Sequence, residues 1–175
     1  MSVPTKVSTN SVPSPSSATA NTSERDAAGV MAPPPLIYLG GLGIGFILEA
    51  FLPSASVPPA VTWPVGGVLA IAGLALARSF FRALHAADTP VSPYSPSTAL
   101  VTTGPYRLSR NPGYLGMALG YAGIAILSGA LWALVPLVPT LFLIDRGVIR
   151  REERHLERRF GEQYSRYRAQ TRRWI

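Results

Sequence analysis

The sequence predicts an all-α integral membrane protein with about four transmembrane helices, the last two a tight hairpin. A C-terminal cytoplasmic amphipathic helix follows them. Three observations carry this expectation. Hydrophobic residues make up 47% of the chain and charged residues 14%, against roughly 25% charged in ordinary soluble domains. The few charges cluster, which leaves long uncharged runs. The basic clusters also fall in the segments that four crossings would place on one side.

Each element can be justified in chain order. Residues 1–30 are rich in Ser, Thr, Pro and Ala; they bury too little apolar surface to offset the entropy of ordering and are expected to be a disordered tail. The first apolar run starts near Leu36 with no basic cluster before it, so a signal peptide is not expected. The first span, "LIYLGGLGIGFILEAFL" over 36–52, has 17 residues, the short end for a spanning helix. Gly41 and Gly45 form a GxxxG pair suited to close helix approach. "GGLGIG" lacks the preceding strand and βαβ setting of a nucleotide loop, so helix packing is the better reading. The second span is expected to begin near Pro64 and to run into "RSFFRALHA", where Arg78 and Arg82 snorkel to the interface. Pro90, Pro93, Pro96 and Pro105 then rule out a regular helix.

The run 113–144 has 32 residues without a charge. As one helix it would be about 48 Å long, more than a bilayer core of about 30 Å. A hairpin is therefore expected, turning at "LSGA" over 127–130, with Pro136 and Pro139 interrupting its second arm. The segment 78–112 carries four Arg against one Asp, and the chain from Asp145 onward carries ten Arg against five acidic residues. The positive-inside rule puts both on the cytoplasmic side, with the N- and C-termini there too. The chain divides into the tail 1–30, two membrane helices over 31–88, and a polar-motif half over 89–175.

Composition also excludes. The formal charge is +7 and Cys is absent, which removes disulfides, thiolate metal sites, Cys nucleophiles and prenylation of this chain. With only two histidines, His85 and His155, no metal site is expected; both read as interface residues. Beside membrane spans, the basic tail points to anionic lipid headgroups and not to nucleic acid.

Two polar motifs remain. "GPYRLSRNPGYLG" over 104–116 sits directly before the long apolar run. After that run, "RREERHLERRFGEQYSRYRAQTRRWI" places Ile149, Leu156 and Phe160 at helical spacing, with Tyr164 and Tyr167 continuing the stripe. Glu152 and Glu153 border the buried face, while Arg151, Arg154 and Arg158 lie opposite. A surface helix would be laced by Arg150 with Glu153, Arg154 with Glu157, and Glu162 with Arg166. Yet adjacent carboxylates need cations, and Arg110, Arg146 and Arg150 fall at the same level. Arg146, Arg150 and Glu153 share a face at i, i+4 and i+7. A functional site and a structural ion network both fit this pattern.

The ordered set Gly104, Tyr106, Arg110, Asn111, Pro112, Tyr114, Glu152, Glu153, Phe160, Gly161, Tyr164, Tyr167, Arg173 and Trp174 resembles the isoprenylcysteine carboxyl methyltransferase family and its bacterial relatives. Phospholipid methyltransferases are a more distant likeness. The resemblance covers residues 89–175; Asn111 stands where many members have His, and "TRRW" replaces a common Val-Pro-Arg-Trp ending. It implies a membrane methyltransferase using S-adenosylmethionine, with a lipophilic acceptor entering from the bilayer and the cofactor held by the C-terminal half. Gly104, Tyr106, Arg110, Asn111, Pro112, Tyr114, Glu152 and Glu153 become the expected cofactor-binding residues, and Arg150 and Glu153 the expected catalytic ones.

Residue chemistry agrees. A carboxylate of Glu152 or Glu153 suits the cofactor's amino group, and Arg110 suits its carboxylate. Tyr106 or Tyr114 suits the adenine or the sulfonium, or else belongs to an interfacial aromatic belt. Arg150 or Arg146 suits an acidic acceptor. Three alternatives stay open: methylation of a lipid amine, a membrane NADPH-dependent reductase, and a non-catalytic protein whose basic tail binds headgroups.

Overall fold

The computed structural model describes residues 33–88 and 99–175. The expected tail over 1–30 and Pro90, Pro93 and Pro96 lie outside the described residues. Among the described residues the secondary structure is helical throughout, in the order α1 (Pro34–Phe51), α2 (Pro59–Ala86), a 3₁₀ turn (Gly104–Arg107), α3 (Pro112–Leu127), a second 3₁₀ turn (Leu131–Leu134), α4 (Leu137–Ile144), a π turn (Asp145–Ile149), α5 (Arg150–Phe160) and α6 (Glu162–Gln170). Three stretches are long and apolar enough to cross a membrane: α1, α2, and the run Leu131–Phe160 that joins the second 3₁₀ turn to α5. At 16 residues, α3 is shorter.

Prolines set the helix starts. Proline occupies the first turn of α1, α2 and α3, where its missing N–H would have no partner in any case. The second span starts at Pro59 and not at Pro64, because the Pro58–Pro59 pair supplies that first-turn residue earlier; Pro64 lies inside α2. Pro139 likewise does not interrupt the run after the turn. It is the third residue of α4, still in the first turn, where no helical hydrogen bond is lost.

The turn over 127–130 falls where expected. Gly129 adopts φ +69°, the Ala130 N–H donates to Ala125 O at 2.9 Å and the Gly129 N–H donates to Ile126 O at 3.0 Å. This is the paired bonding of a Schellman motif, which satisfies the last carbonyls of α3. Tyr121 then donates its hydroxyl to Ala133 O at 2.8 Å, holding the 3₁₀ turn against α3. Glu49, the one charge in the first span, accepts the Trp132 N–H at 2.9 Å. It acts there as an external cap for the otherwise unsatisfied start of that turn.

Small residues let the helices meet backbone to backbone. The Gly41–Gly45 pair faces Thr140 and Ala133 of the same chain. On the other side of the bundle, a Cβ on Gly73 would lie 2.6 Å from Gly120 N and 2.8 Å from Gly116 O. The Gly41–Gly45 pair and Gly73 therefore serve packing within one chain, α1 on the run Leu131–Phe160 and α2 on α3. The core at one end comprises Tyr38, Tyr121, Ile144, Val148 and Ile149, with Trp174 of the C-terminal tail packed on it.

This packing makes a direct prediction. Gly73→Leu should lower the melting temperature of detergent-purified protein sharply, because backbone and not a side-chain tip stands in its way. Gly67→Leu, with nothing within 4 Å of its would-be Cβ, should be neutral or mildly stabilising, since glycine costs a helix about 1 kcal/mol relative to alanine.

Candidate active site

The segment 104–112 is built to clasp the C-terminal tail. Gly104 has φ +62°, a backbone region costly for residues with a Cβ, and it opens the turn that buries Pro105. Pro112 is buried at the start of α3. Asn111 holds the N-cap position but makes no side-chain cap bond. Its Nδ2 instead donates to Arg173 O at 3.1 Å. The Ser109 hydroxyl donates to the same carbonyl at 3.1 Å and accepts the Asn111 N–H at 3.1 Å. The Arg110 N–H donates to Arg172 O at 3.0 Å, and Tyr167 donates to Tyr106 O at 2.7 Å.

The tail so held delivers a guanidinium to Glu153. Arg173 Nη2 lies 2.6 Å from Glu153 Oε2 and its Nε 3.1 Å from Oε1, a bidentate fork. Arg110 Nη1 stands 3.3 Å from Glu153 Oε1, and both of those side chains are only 9% exposed. Arg173 reaches on to Asp145 Oδ1 at 3.3 Å. The hydrogen bonds it donates to Glu153 hold the Arg173 pKa above the ordinary arginine value, so it stays cationic at every physiological pH. Burial raises the pKa of Tyr164 and Tyr167, and the Arg110 guanidinium beside them partly offsets this.

Arg110 is not saturated. Its Nε and Nη1 are buried without a hydrogen-bond partner; Nη1 is within ion-pair range of Glu153 but poorly aligned for a bond. Buried polar atoms are almost always bonded, so the unpartnered Nε of this cation calls for an anionic acceptor.

Glu152 has a different environment. It is half-buried, and Tyr114 donates its hydroxyl to Oε1 at 2.7 Å. Tyr38 of α1 secures that tyrosine's backbone by donating to Tyr114 O at 3.0 Å. Tyr106 is near enough for the Glu152 charge to add to burial in raising its pKa. The Tyr106 ring lies 6.1 Å from that of Phe80, and Phe80 covers Gly113, where a Cβ would come within 3.1 Å of the ring. Glu152, Tyr114, Tyr106 and Phe80 thus form an acidic, aromatic bay beside the Glu153 cluster.

The expected register of the basic face changes here. The π turn carries one residue more per turn than an α-helix needs, which rotates α5 relative to α4. Arg150 consequently pairs with Asp145 at 3.1 Å and not with Glu153. Arg146 lies 3.9 Å from Asp145 and over the Phe142 ring at 5.0 Å. Glu157 pairs with Arg168 at 3.4 Å and not with Arg154, because α6 folds back beside it. The third expected pair, Glu162 with Arg166, is present at 3.1 Å. The burial pattern of α5 follows the sequence: Glu153 is buried, Glu152 half-buried, and Arg151, Arg154 and Arg158 exposed.

All the expected site residues therefore gather at one end of the bundle. Gly104, Asn111 and Pro112 shape the backbone there, while Arg110, Tyr106, Tyr114 and Glu152 present functional groups. Glu153 is enclosed by guanidinium groups. Sequence reasoning missed Tyr38, Ser109, Asp145 and the central place of Arg173. Tyr38 and Ser109 carry no spacing signal, and the run that contains Asp145 hides the π turn. Arg173 is visible only as the penultimate member of an ordered motif set.

A protein-family model, described as phospholipid methyltransferase, matches residues 61–163, more than half of the chain. The chain belongs to the phospholipid methyltransferase family. That family includes isoprenylcysteine carboxyl methyltransferase-like members. The match runs from α2 to the start of α6, so it takes in Arg110, Glu152 and Glu153 and stops before Arg173. Comparisons with curated proteins and with solved structures gave no match. Family and apolar helices together make this a membrane methyltransferase-family protein.

The two glutamates should respond unequally to substitution. Glu153→Gln strands two guanidinium groups and should cost about 3 kcal/mol, the scale for breaking a buried ion pair. Glu152→Gln keeps a hydrogen-bond acceptor for Tyr114 and should cost about 1 kcal/mol or less. Thermal denaturation of the two variants in the same detergent checks the order.

Proposed function

We propose that this chain transfers a methyl group from S-adenosylmethionine to a lipophilic acceptor drawn from the bilayer, most simply an isoprenylcysteine-type carboxylate. The observation that carries the reading is the pairing of a buried Arg110 guanidinium, its Nε without a partner, with the Glu152 group at the end of the apolar helices. The cofactor has a carboxylate, an amino group and a sulfonium, and these donor sets are complementary to all three. Arg110 would take the carboxylate through its unpartnered Nε, Glu152 would take the amino group, and the Tyr106 and Tyr114 rings would flank the cation or the adenine. Glu153 serves as the hub that keeps Arg110 in place.

When bound, the cofactor supplies a methyl carbon already activated by its sulfonium leaving group. The residues here then have to align the acceptor and exclude water. A carboxylate acceptor is ionised at neutral pH and needs no general base. The cluster suits an anion: Arg110, Arg146, Arg150 and Arg173 oppose Asp145, Glu152 and Glu153, leaving one positive charge in excess. Arg146 and Arg150, with side chains 55% and 41% exposed, are the guanidinium groups accessible to an incoming acceptor. The reading places the site and both termini on the cytoplasmic side. Anionic headgroups would settle on α2, where Arg78, Arg82 and His85 line a groove with Leu74, Ala77 and Phe81.

A second acceptor, the amine of a phospholipid headgroup, is favoured by the description of the matched family. An amine must lose a proton, and Glu152 is the carboxylate not enclosed by arginines.

Equilibrium binding of labelled S-adenosylmethionine to protein in lipid nanodiscs tests the reading. Wild type should bind, and Glu152→Gln should weaken binding about tenfold, the scale of one charged hydrogen bond. Methyl transfer to a farnesylated cysteine and not to phosphatidylethanolamine would assign the acceptor; the reverse would assign the amine. Arg146→Ala and Arg150→Ala should raise the acceptor KM more than the cofactor KM, and the opposite pattern would remove them from the acceptor site. Folded wild-type protein that fails to bind the cofactor in lipid would end the reading.

A further inference from the structure

Arg173 lies outside the stretch matched by the family model, yet more of the site converges on it than on any residue within that stretch. Its side chain bridges Glu153 of α5 and Asp145 of the π turn. Its carbonyl accepts from Ser109 and Asn111. The neighbouring Arg172 carbonyl accepts the Arg110 N–H at 3.0 Å, and the following Trp174 packs on the core around Tyr38 and Ile149. Six contacts of three kinds thus fix one short tail segment against α5, the π turn, the 109–111 segment and the core.

We propose that Arg173 is a positioning residue, through which the C-terminal tail sets the geometry of the Arg110 anion site. This deepens the methyltransferase reading and rests on it for the identity of the anion. The physical case is a sharing of charge. Glu153 needs cations on both oxygens to stay buried and ionised. Arg173 supplies them as a rigid fork, which lysine cannot imitate. With Glu153 satisfied by Arg173, Arg110 need give it only the poorly aligned Nη1, and its Nε remains available to a ligand. Without Arg173, Arg110 would be drawn into full pairing with Glu153, and the same loss would release the carbonyl that anchors Ser109 and Asn111. The tail therefore keeps the anion site open by occupying the carboxylate that would otherwise close it.

The test uses the full chain in nanodiscs and two readouts. Hydrogen exchange of the 109–111 amides reports tail docking whether or not any cofactor binds, and titration with labelled S-adenosylmethionine reports the anion site. Arg173→Ala should raise exchange at 109–111 at least tenfold and weaken cofactor binding tenfold or more, while the acceptor KM stays within about twofold. Arg173→Lys should fall between, and millimolar guanidinium should restore part of the affinity of Arg173→Ala. Because Arg173→Ala leaves Glu153 buried with fewer partners and so puts folding at risk, Asn111→Ala is the second variant. It keeps the ion pair, and should also raise exchange and weaken cofactor binding. Unchanged exchange at 109–111 in the folded variants would overturn the proposal. So would raised exchange with unchanged cofactor affinity. Failure of wild type to bind the cofactor would instead strike at the methyltransferase reading, and exchange would still decide whether the tail positions 109–111.

Discussion

A carboxylate buried at the boundary of an apolar bundle has to be given cations, and at Glu153 that requirement organises everything around it. One oxygen is met by Arg173 and by Arg110, the other by Arg173 alone. Arg110 comes from the segment before α3, Glu153 from α5, and Arg173 from the tail beyond α6. The ion cluster therefore ties together parts of the chain that are far apart in sequence. Desolvation makes such a cluster a poor source of net stability but a strong source of specificity, since any arrangement that leaves one member unpaired is heavily penalised.

The hub only works because the helices beneath it can approach closely. Glycines at 66, 73, 116 and 123 bring α2 and α3 into backbone contact, and Gly41 and Gly45 bring α1 onto the run Leu131–Phe160. In a lipid setting, where apolar burial gives helices little reason to associate, such close contact is the principal attraction available. It carries Tyr38 of α1 under Tyr114 and Phe80 of α2 against Gly113. The first two helices carry no recognisable site motif, but they hold the walls of the aromatic bay.

Much of this was legible in the sequence because it rests on local rules. Apolar run lengths located α1 and α2, the Leu-Ser-Gly-Ala stretch located the turn, and helical spacing located the buried side of α5, including Glu152 and Glu153. The gathering of 104–114 with 152–153 was legible as an ordered motif set. Partner choice was not. Arg150 and Glu157 pair differently from their helical spacing because a π turn and the fold-back of α6 intervene, and neither feature has a compositional signature. Asn111 looked like a ligand group, yet its side chain holds a backbone carbonyl, because that demand comes from a tail more than sixty residues away. The start of α2 was misplaced for a simpler reason: two prolines compete for one first-turn role, and the earlier pair fills it.

The π turn has one more consequence. Glu152 and Glu153 are adjacent and chemically identical, and what separates them is their angle about the helix axis. That angle is fixed upstream, by a single surplus residue within Asp145–Ile149. Wound as a regular α-helix, the same residues would turn everything after them by about 100°. The glutamate now enclosed by arginines would swing out of their reach, and the whole downstream face would be exchanged for another. In this stretch the width of one turn is itself part of the design, as binding as the identity of any side chain.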